Sequence, residues 1–341
     1  MNNTRRSVFL AVSIALVLPG CAPESGIDDL EGLDTETVES LDQQAGSSES
    51  GSSADDPAAA VIGGDSADAV LTGCAVFPAS NWWNTDISSA PVDAKSSTYV
   101  ATIGAGAALH PDFGTQYGIP SVNVNAQVSK KKVIFGYASE SDPGPYPIPA
   151  NPPIENFSDA HLLMVHTDEC KLYELFQVSK SGSQWYAGSG AIWDLTKNST
   201  RPKGWTSADA AGLPIYPGLV RYEEVASGVI NHALRFTAPR TQHGFVAPAS
   251  HYASSSYDPS RPPMGVRFRL KASFNTSGYS SSMKVILTAL KNYGMFLADN
   301  GSSWYLSGSP SPSWNDGAIN TLKQVHGSDF EAIATGPITT N

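Results

Sequence analysis

The chain changes composition sharply near residue 70, and this change limits which part of it can fold. Residues 22–70 hold thirteen Asp or Glu, no Lys or Arg and no aromatic residue. Such a segment cannot bury enough apolar surface to offset the entropy lost on ordering, and its like charges repel one another. We therefore predict a disordered acidic linker over 21–70 and a single folded body over 71–341, built from 271 residues.

The first twenty residues carry the pattern of an export signal. Two arginines precede an apolar run of eleven residues, Val8–Leu18, which is shorter than the roughly 20 residues that a membrane-spanning helix needs. The run ends in Leu18-Pro19-Gly20-Cys21, which resembles the bacterial lipobox. We predict a lipoprotein signal peptide over 1–20 and a lipid, such as palmitate, on Cys21. An ordinary cleaved signal with a chance Cys is the alternative, and the paired arginines leave the general secretory and twin-arginine routes both open.

The predicted lipid anchor indicates where the protein is located. The charge balance of the body indicates which classes of partner it can bind. Of the 21 basic residues two lie in the signal, and of the 32 acidic residues thirteen lie in the linker, so the body holds 19 of each. A neutral body has no electrostatic footprint for nucleic acid or for anionic lipid. We predict an exported monomer at the outer membrane or cell surface, attached through its lipid alone, with no nucleic-acid partner.

Two cysteines remain in the body, Cys74 and Cys170. Outside the cytoplasm, two cysteines that are the only ones in a folded body are expected to form a disulfide with each other. The disulfide would close a loop of about 95 residues and contribute at most about 4–5 kcal/mol through loop entropy. No CxxC or HExxH pattern is present, so we predict no metal site and no cofactor.

We predict that the body is mainly β, with a β-sandwich or barrel-like fold, one or two helices and long Pro/Gly-rich loops. Short runs rich in β-branched and aromatic residues are typical of strands, and they cover 133–138, 162–167, 172–178, 185–195, 233–237 and 266–274. The alternation in 267–271 indicates a half-buried strand. Apolar residues at helical spacing predict a helix over 281–293 that stops at Gly294, and a shorter helix near 317–325.

Several stretches of the body resemble a family of secreted actinobacterial and myxobacterial proteins. The stretches that carry the resemblance are 81–87, 110–114, 188–195, 204–209, 218–222 and 231–236. The resemblance covers nearly all of 73–333. It implies no activity and no catalytic residues. Because members of the family are sometimes joined to carbohydrate-binding modules, it implies secretion and proximity to polysaccharide.

Acidic residues among large aromatic residues point to work on sugars. Glycoside hydrolysis needs two opposed carboxyl groups, and a pyranose ring packs on an aromatic face. The candidate catalytic residues are Asp194, Glu223, Asp299 and His232. The candidate substrate-binding residues are Trp193, Trp205, Trp304, Tyr222 and Arg235.

Each of these candidates has a purely structural alternative. Asp209, a further acid of the same region, stands in a stretch that also reads as a capped helical turn over 206–211. For Trp193 the alternative is a residue of the hydrophobic core. For the segment that follows Asp299, the alternative is that Asn300-Gly301 forms a hairpin turn.

Histidines form a second, weaker group of candidates. His110 with Asp112, and Asp159 with His161, have the spacing that puts both side chains on one face of a strand. Such a pair suits a metal site or a base with its orienting acid. His232, and His243 with His251, complete the group, and a hydrogen-bonded structural histidine is the alternative for each.

The leading functional hypothesis is a carbohydrate-active enzyme, a glycoside hydrolase or lyase, acting on an extracellular polysaccharide. A non-catalytic surface protein that binds glycan or cell wall would use the same aromatic residues without paired acids. A metal-dependent hydrolase is the third hypothesis, and it would need three convergent imidazoles or carboxylates.

Overall fold

The structure is a computed structural model, and it describes residues 74–340. The predicted signal peptide, the lipid site at Cys21 and the acidic linker lie outside the described residues. The described residues form thirteen strands in three sheets with four α-helices, which confirms the mainly-β prediction.

The helices are α1 (Ser96–Ile103), α2 (Tyr222–Ser227), α3 (Ser281–Asn292) and α4 (Asp316–Asn320). The strands are β1 (His110–Asp112), β2 (Ser121–Val124), β3 (Val133–Phe135), β4 (Leu162–His166), β5 (Lys171–Phe176), β6 (Ser179–Ser181), β7 (Gln184–Ala187), β8 (Ser189–Asp194), β9 (Leu234–Ala238), β10 (Arg267–Leu270), β11 (Met295–Asn300), β12 (Tyr305–Ser307) and β13 (Phe330–Ala332).

The largest sheet has the order β1-β12-β9-β11-β10-β13. In this order β9 lies between β11 and β12 and runs parallel to β11. The predicted hairpin at Asn300-Gly301 is therefore absent, because the two strands that flank this turn are not neighbours. The turn instead leads the chain past β9 to β12.

A four-stranded sheet, β2-β4-β5-β8, is buried on both faces. Along β4, Leu163 and Val165 belong to the main hydrophobic core, and Leu162 and Met164 to a smaller core. This alternation follows from the two-residue period of a strand. The smaller core lies between this sheet and a three-stranded sheet, β3-β7-β6. None of the three described sheets closes on itself.

Both predicted helices are present, and two more were not predicted. The helix expected over 281–293 is α3, in which Met283, Ile286, Leu287 and Leu290 are buried at helical spacing. The second is α4, continued by a 3₁₀ turn. The remaining two, α1 and α2, are only eight and six residues long, which is too short for the spacing of apolar residues to indicate a helix. No described helix is long and apolar enough to cross a membrane.

The strand predicted as half-buried, β10, is buried throughout. Its arginines point inward because they bind backbone carbonyls of the loop before α1. Arg267 donates to the carbonyl oxygens of Trp82 and Thr85, each at 2.8 Å, and Arg269 donates to that of Ile87 at 2.6 Å. The alternation of charged and apolar residues predicts a strand with one face exposed to solvent. In the structure the charged face instead packs against the loop before α1.

The predicted disulfide between Cys74 and Cys170 is confirmed, with the two Cα atoms 5.4 Å apart. It ties the first described residue to the turn between β4 and β5. The disulfide therefore joins the start of the body to the doubly buried sheet.

Candidate active site

A pocket of about 290 Å³ is lined by residues of both larger sheets and of the loops between them. This volume is near the lower limit of about 300–1,000 Å³ for small-molecule sites. The lining residues are Tyr137, Glu140, Phe176, Ser189, Thr206, Ser207, Ala208, Asp209, Ala210, His251 and Asp299. Another pocket of similar volume lies beside α3. Its lining includes Lys284 but no carboxyl group or histidine, so the acidic pocket is the better candidate for catalysis.

An irregularity in β11 places Asp299 in this pocket. The register between β11 and β9 shifts at Ala298, so that β11 has one extra residue immediately before Asp299. Such a bulge re-aims the neighbouring side chains. The carbonyl oxygen of Ala298 accepts the N–H of Ala211 at 2.9 Å. This bond holds the loop that carries Asp209 against β11 and brings the two aspartates together.

The loop over 206–211 is a tight turn, not the helical turn that was the alternative for Asp209. The buried Ser207 hydroxyl accepts the N–H of Asp209 at 2.9 Å and lies 2.5 Å from the carbonyl oxygen of Leu213. The hydroxyl of Ser189, at the start of β8, donates to the carbonyl of Ser207 at 2.5 Å. Two serines thus fix the backbone on both sides of Asp209.

Asp209 forms a buried, two-armed ion pair with Arg235. The guanidinium donates from Nε and Nη2 to the two carboxylate oxygens at 3.0 and 2.8 Å. It also donates from Nη1 to the Ser307 hydroxyl at 2.6 Å. Both side chains are almost completely buried. Because both carboxylate oxygens of Asp209 accept hydrogen bonds from Arg235 and the side chain is fully buried, this carboxylate orients its neighbours but is poorly placed to exchange protons with a substrate.

Asp299 lies beside this ion pair and lines the pocket. Burial, the charge of Asp209 and a hydrogen bond with Asp209 together raise the pKa of Asp299 to about 7, against the opposing charge of Arg235. Two adjacent carboxyl groups resist being ionised together, so one of them keeps its proton. Asp299 therefore holds a proton at mildly acidic pH and is still partly protonated at neutral pH.

A second carboxyl group and an imidazole line the same pocket from other segments. Glu140 ends a 3₁₀ turn, and its Oε2 accepts the N–H of Thr206 at 3.2 Å. His251 Nδ1 is 2.8 Å from the carbonyl oxygen of Ala210. A carbonyl oxygen only accepts, so Nδ1 carries the hydrogen. The other ring nitrogen, Nε2, faces Glu140 Oε2 at 4.0 Å.

A buried arginine joins the two segments that carry these acids. Arg201 donates to the carbonyl oxygen of Glu140 at 2.7 Å, to Asp142 Oδ2 at 2.7 Å, and to the carbonyl oxygen of Thr206. Its guanidinium lies against the rings of Trp193 and Trp205, 5.9 and 5.4 Å from their centroids. Arg201 therefore links the turn of Glu140 to the loop of Asp209.

His161 supports the same loop from inside the protein. Its Nε2 is 3.2 Å from the carbonyl oxygen of Ala208, and its Nδ1 is 2.6 Å from Glu155 Oε2. Burial opposes charge on this ring, but the hydrogen bond and the charge of Glu155 outweigh burial and raise the pKa of His161. The imidazole can then donate from both nitrogens, so it holds the residue before Asp209 in place.

Among the predicted catalytic residues, the structure brings only Asp299 to this pocket. Asp194 pairs with Lys197 at 2.6 Å and caps the turn after β8, and these contacts lower its pKa to about 2. Glu223 is exposed on α2. His232 is buried, with Nε2 3.1 Å from Glu224 Oε1. These acids do not form the single groove that the sequence predicted.

Most of the predicted sugar-binding residues have partners inside the protein. Trp304 is fully buried, stacked between Phe236 and Phe330, so it has no face open to a sugar. Trp193 is buried, and its indole N–H donates to the buried Glu174 at 3.2 Å.

The other three predicted binding residues also have partners inside the protein. Trp205 packs on Arg201, and Tyr222 packs edge-on against Trp314. Arg235 is next to the pocket, where it orients Asp209 rather than facing the opening.

Glu140 and His251 were not predicted as partners in one site. Glu140 stands in a proline-rich loop with no strand or helix pattern, and it is 111 positions from His251 in the sequence. Of the predicted histidine–acid pairs, His110 and Asp112 do share β1, but His161 pairs with Glu155 instead of Asp159. Within residues 74–340 no group of three or more His, Cys, Asp or Glu is arranged to hold a metal ion.

Comparisons with protein-family models, with curated proteins and with solved structures find no match to this chain. The groups of the pocket itself therefore indicate which chemistry it can perform. It combines a carboxyl group that keeps its proton near neutral pH, a second carboxyl group close to an imidazole, three hydroxyl side chains and two aromatic rings. This set can donate a proton, accept a proton and hold a polar ligand through hydrogen bonds.

Proposed function

We propose that the pocket is the active site of a carbohydrate-active hydrolase that cleaves an extracellular polysaccharide. One observation carries the proposal: Asp299 keeps a proton near neutral pH in a pocket that also holds the carboxyl group of Glu140. Acetal cleavage needs a proton donor for the leaving oxygen and a second carboxyl group to act on the anomeric side.

In the proposed reaction, Asp299 gives its proton to the glycosidic oxygen as the bond from that oxygen to the anomeric carbon breaks. A water molecule adds to the anomeric carbon, and its proton passes to Glu140. Transfer of that proton back to Asp299 through solvent restores both groups. Asp209 and Arg235 act as positioning residues, because they set the charge beside Asp299 without facing the substrate.

The remaining lining suits a sugar. Tyr137 and Phe176 provide aromatic surface, and Tyr137 is 55% exposed. Aromatic faces bind the apolar side of a sugar ring, and the hydroxyl of the exposed Tyr137 can hydrogen-bond to its oxygens. The equal numbers of acidic and basic residues in the body favour a neutral polysaccharide over a charged one.

The proposal is tested by incubating the purified full chain with xylan, laminarin, starch, dextran and peptidoglycan and measuring the release of reducing ends. We expect release from at least one of these polymers by the wild type and none above background by Asp299→Asn. Equal release by both proteins would show that a contaminant or another site is responsible.

Binding of glycan without cleavage is the second candidate function. It is favoured by Ile134 and Tyr186, which are direct partners on β3 and β7 and are 53% and 39% exposed. Their side chains form an apolar patch on the three-stranded sheet β3-β7-β6. The edge strand β6 of this sheet is exposed to solvent. A binding protein would retain polysaccharide but release no reducing ends, so the same incubation separates the two functions.

For the location we propose export and a lipid anchor at Cys21, on the strength of the signal-like segment and the lipobox. We expect wild-type protein from fractionated cells to enter the detergent phase and Cys21→Ser to remain in the aqueous phase, because a buried acyl chain contributes about 0.8 kcal/mol per CH₂ to membrane binding. Wild-type protein found in the aqueous phase would contradict the anchor.

A further inference from the structure

A line of aromatic rings runs from the pocket to the protein surface. His251 lines the pocket, and its ring is parallel to that of Tyr252 with the centroids 5.5 Å apart. The line continues to His243, 3.9 Å from Tyr252, and then to Tyr257, 4.5 Å from His243. We refer to Tyr252, His243 and Tyr257 as the aromatic row. Its outer member, Tyr257, is 72% exposed.

The aromatic row is held rigidly, although most of it lies outside regular secondary structure. Both ring nitrogens of His243 face carbonyl oxygens, that of Ser254 at 3.1 Å and that of Thr340 at 3.2 Å. These contacts fix the plane of the imidazole between its two tyrosine neighbours. A rigid aromatic surface costs little conformational entropy when a ligand binds to it.

The row is also fixed relative to Asp299. The side-chain amide of Asn300, the residue after Asp299 on β11, donates to the carbonyl oxygen of Ala253 at 3.2 Å. The loop of the row and the proposed proton donor are therefore attached to the same end of β11. A ligand that spans both would keep one position relative to the reacting atoms.

Tyr257 is not an isolated exposed ring, because it ends a contiguous series of rings that begins at the pocket. The charge beside Tyr257 is balanced, because Asp258 Oδ2 lies 3.6 Å from Arg261 Nε. The surface around the outer ring thus presents aromatic faces without a dominant charge. This combination suits the apolar faces of neutral sugar rings.

We infer that the exposed face of Tyr257, at the outer end of the aromatic row, is a subsite for a neutral polysaccharide chain whose cleavage point lies in the pocket. The inference rests on the proposed function for the identity of the substrate, and it adds that the enzyme binds several sugar units of an extended chain. The inner rings pack on one another and hold Tyr257 in position, so that Tyr257 would lie under a sugar unit beyond the bond that is cleaved.

Affinity electrophoresis tests this inference without relying on catalysis. The full chain is run in native gels that contain xylan, laminarin, starch or dextran, and retardation gives the affinity for each polymer. We expect at least one polymer to retard the wild type and Asp299→Asn equally. Tyr257→Ala should bind that polymer about three- to tenfold more weakly, since a stacked aromatic contact is lost, whereas Tyr257→Trp should bind within about twofold of the wild type because it keeps an aromatic face.

Phe157→Ala is the matched control, because Phe157 is also highly exposed, at 63%, and lies on a different loop. The inference is overturned if no polymer retards the wild type, or if Tyr257→Ala binds as tightly as Phe157→Ala. Retardation that depends on Tyr257 without any release of reducing ends would keep the row and refute the hydrolase. Cleavage that is unchanged in Tyr257→Ala would refute the sugar-binding role of the row and keep the hydrolase.

Discussion

Replacement of Asp299 by Asn is expected to lower kcat for polysaccharide cleavage by about 10²- to 10⁴-fold, the usual contribution of a positioned general acid. An amide has nearly the size of a carboxyl group and can still hydrogen-bond to Asp209. It cannot transfer a proton to the glycosidic oxygen. Because the change removes the donor and keeps the shape, the affinity for polysaccharide measured in native gels should remain close to that of the wild type.

Asp86→Asn is the matched control for this variant. Asp86 is exposed, and its Oδ1 accepts the N–H of Ser88 at 2.7 Å, a bond that an Asn side chain can also accept. We expect Asp86→Asn to cleave like the wild type. A kcat for Asp299→Asn within about threefold of the control would remove Asp299 from the mechanism, since a general acid contributes far more than that.

Replacement of Arg235 by Met is expected to lower the free energy of unfolding by about 3–5 kcal/mol, because it leaves the buried carboxylate of Asp209 without its partner. Asp209 receives two hydrogen bonds from this guanidinium and is fully buried. Chemical denaturation of the full chain, followed by tryptophan fluorescence, measures the change. The double variant with Asp209→Asn should recover part of the loss, because the unpaired charge is then removed as well.

Arg261→Met provides the comparison for a solvent-exposed pair. Arg261 and Asp258 are separated by 3.6 Å at the surface, and such pairs contribute about 0–1 kcal/mol. If Arg235→Met is no more destabilising than Arg261→Met, the ion pair does not hold the Asp209 loop in place. The positioning role of Arg235 would then fall with it.

The features that sequence predicted well depend on local patterns. The α3 helix shows four buried apolar residues at helical spacing, and the strands of the doubly buried sheet are short apolar runs. The disulfide was predicted from the two cysteines of the body together with the export expected from the signal-like segment. Asp299 was singled out because an apolar strand ends there, and the structure places it in the lining of the pocket.

The sequence did not indicate the surroundings of several candidate residues, and most of these surroundings depend on contacts between distant segments. Large aromatic residues are mostly buried, and Trp304 and Trp193 follow this tendency. Asp194 is satisfied by Lys197, three positions away, which a search for sugar-binding acids did not weigh. Glu140 reaches the pocket only because Arg201 and Thr206 hold its turn, and no spacing in the sequence indicates such an arrangement.

The pocket owes its geometry to buried polar groups at loop ends. The extra residue in β11 frees the carbonyl of Ala298 for Ala211, and Arg201 and His161 hold the two flanks of the Asp209 loop. Each of these groups is hydrogen-bonded, as buried polar groups must be to avoid a large desolvation cost. A site built in this way is pre-organised, which is a requirement for stabilising a transition state.

The pH dependence of kcat/KM for polysaccharide cleavage by the wild-type chain tests the central claim most directly. This quantity follows the protonation of the free enzyme, and the proposed mechanism needs Asp299 in its protonated form. With the pKa of Asp299 raised to about 7, we expect kcat/KM to fall as pH rises through 7, approaching a tenfold loss per pH unit above about pH 8. A kcat/KM that stays constant or rises between about pH 6 and 9 would contradict the claim that Asp299 is the proton donor.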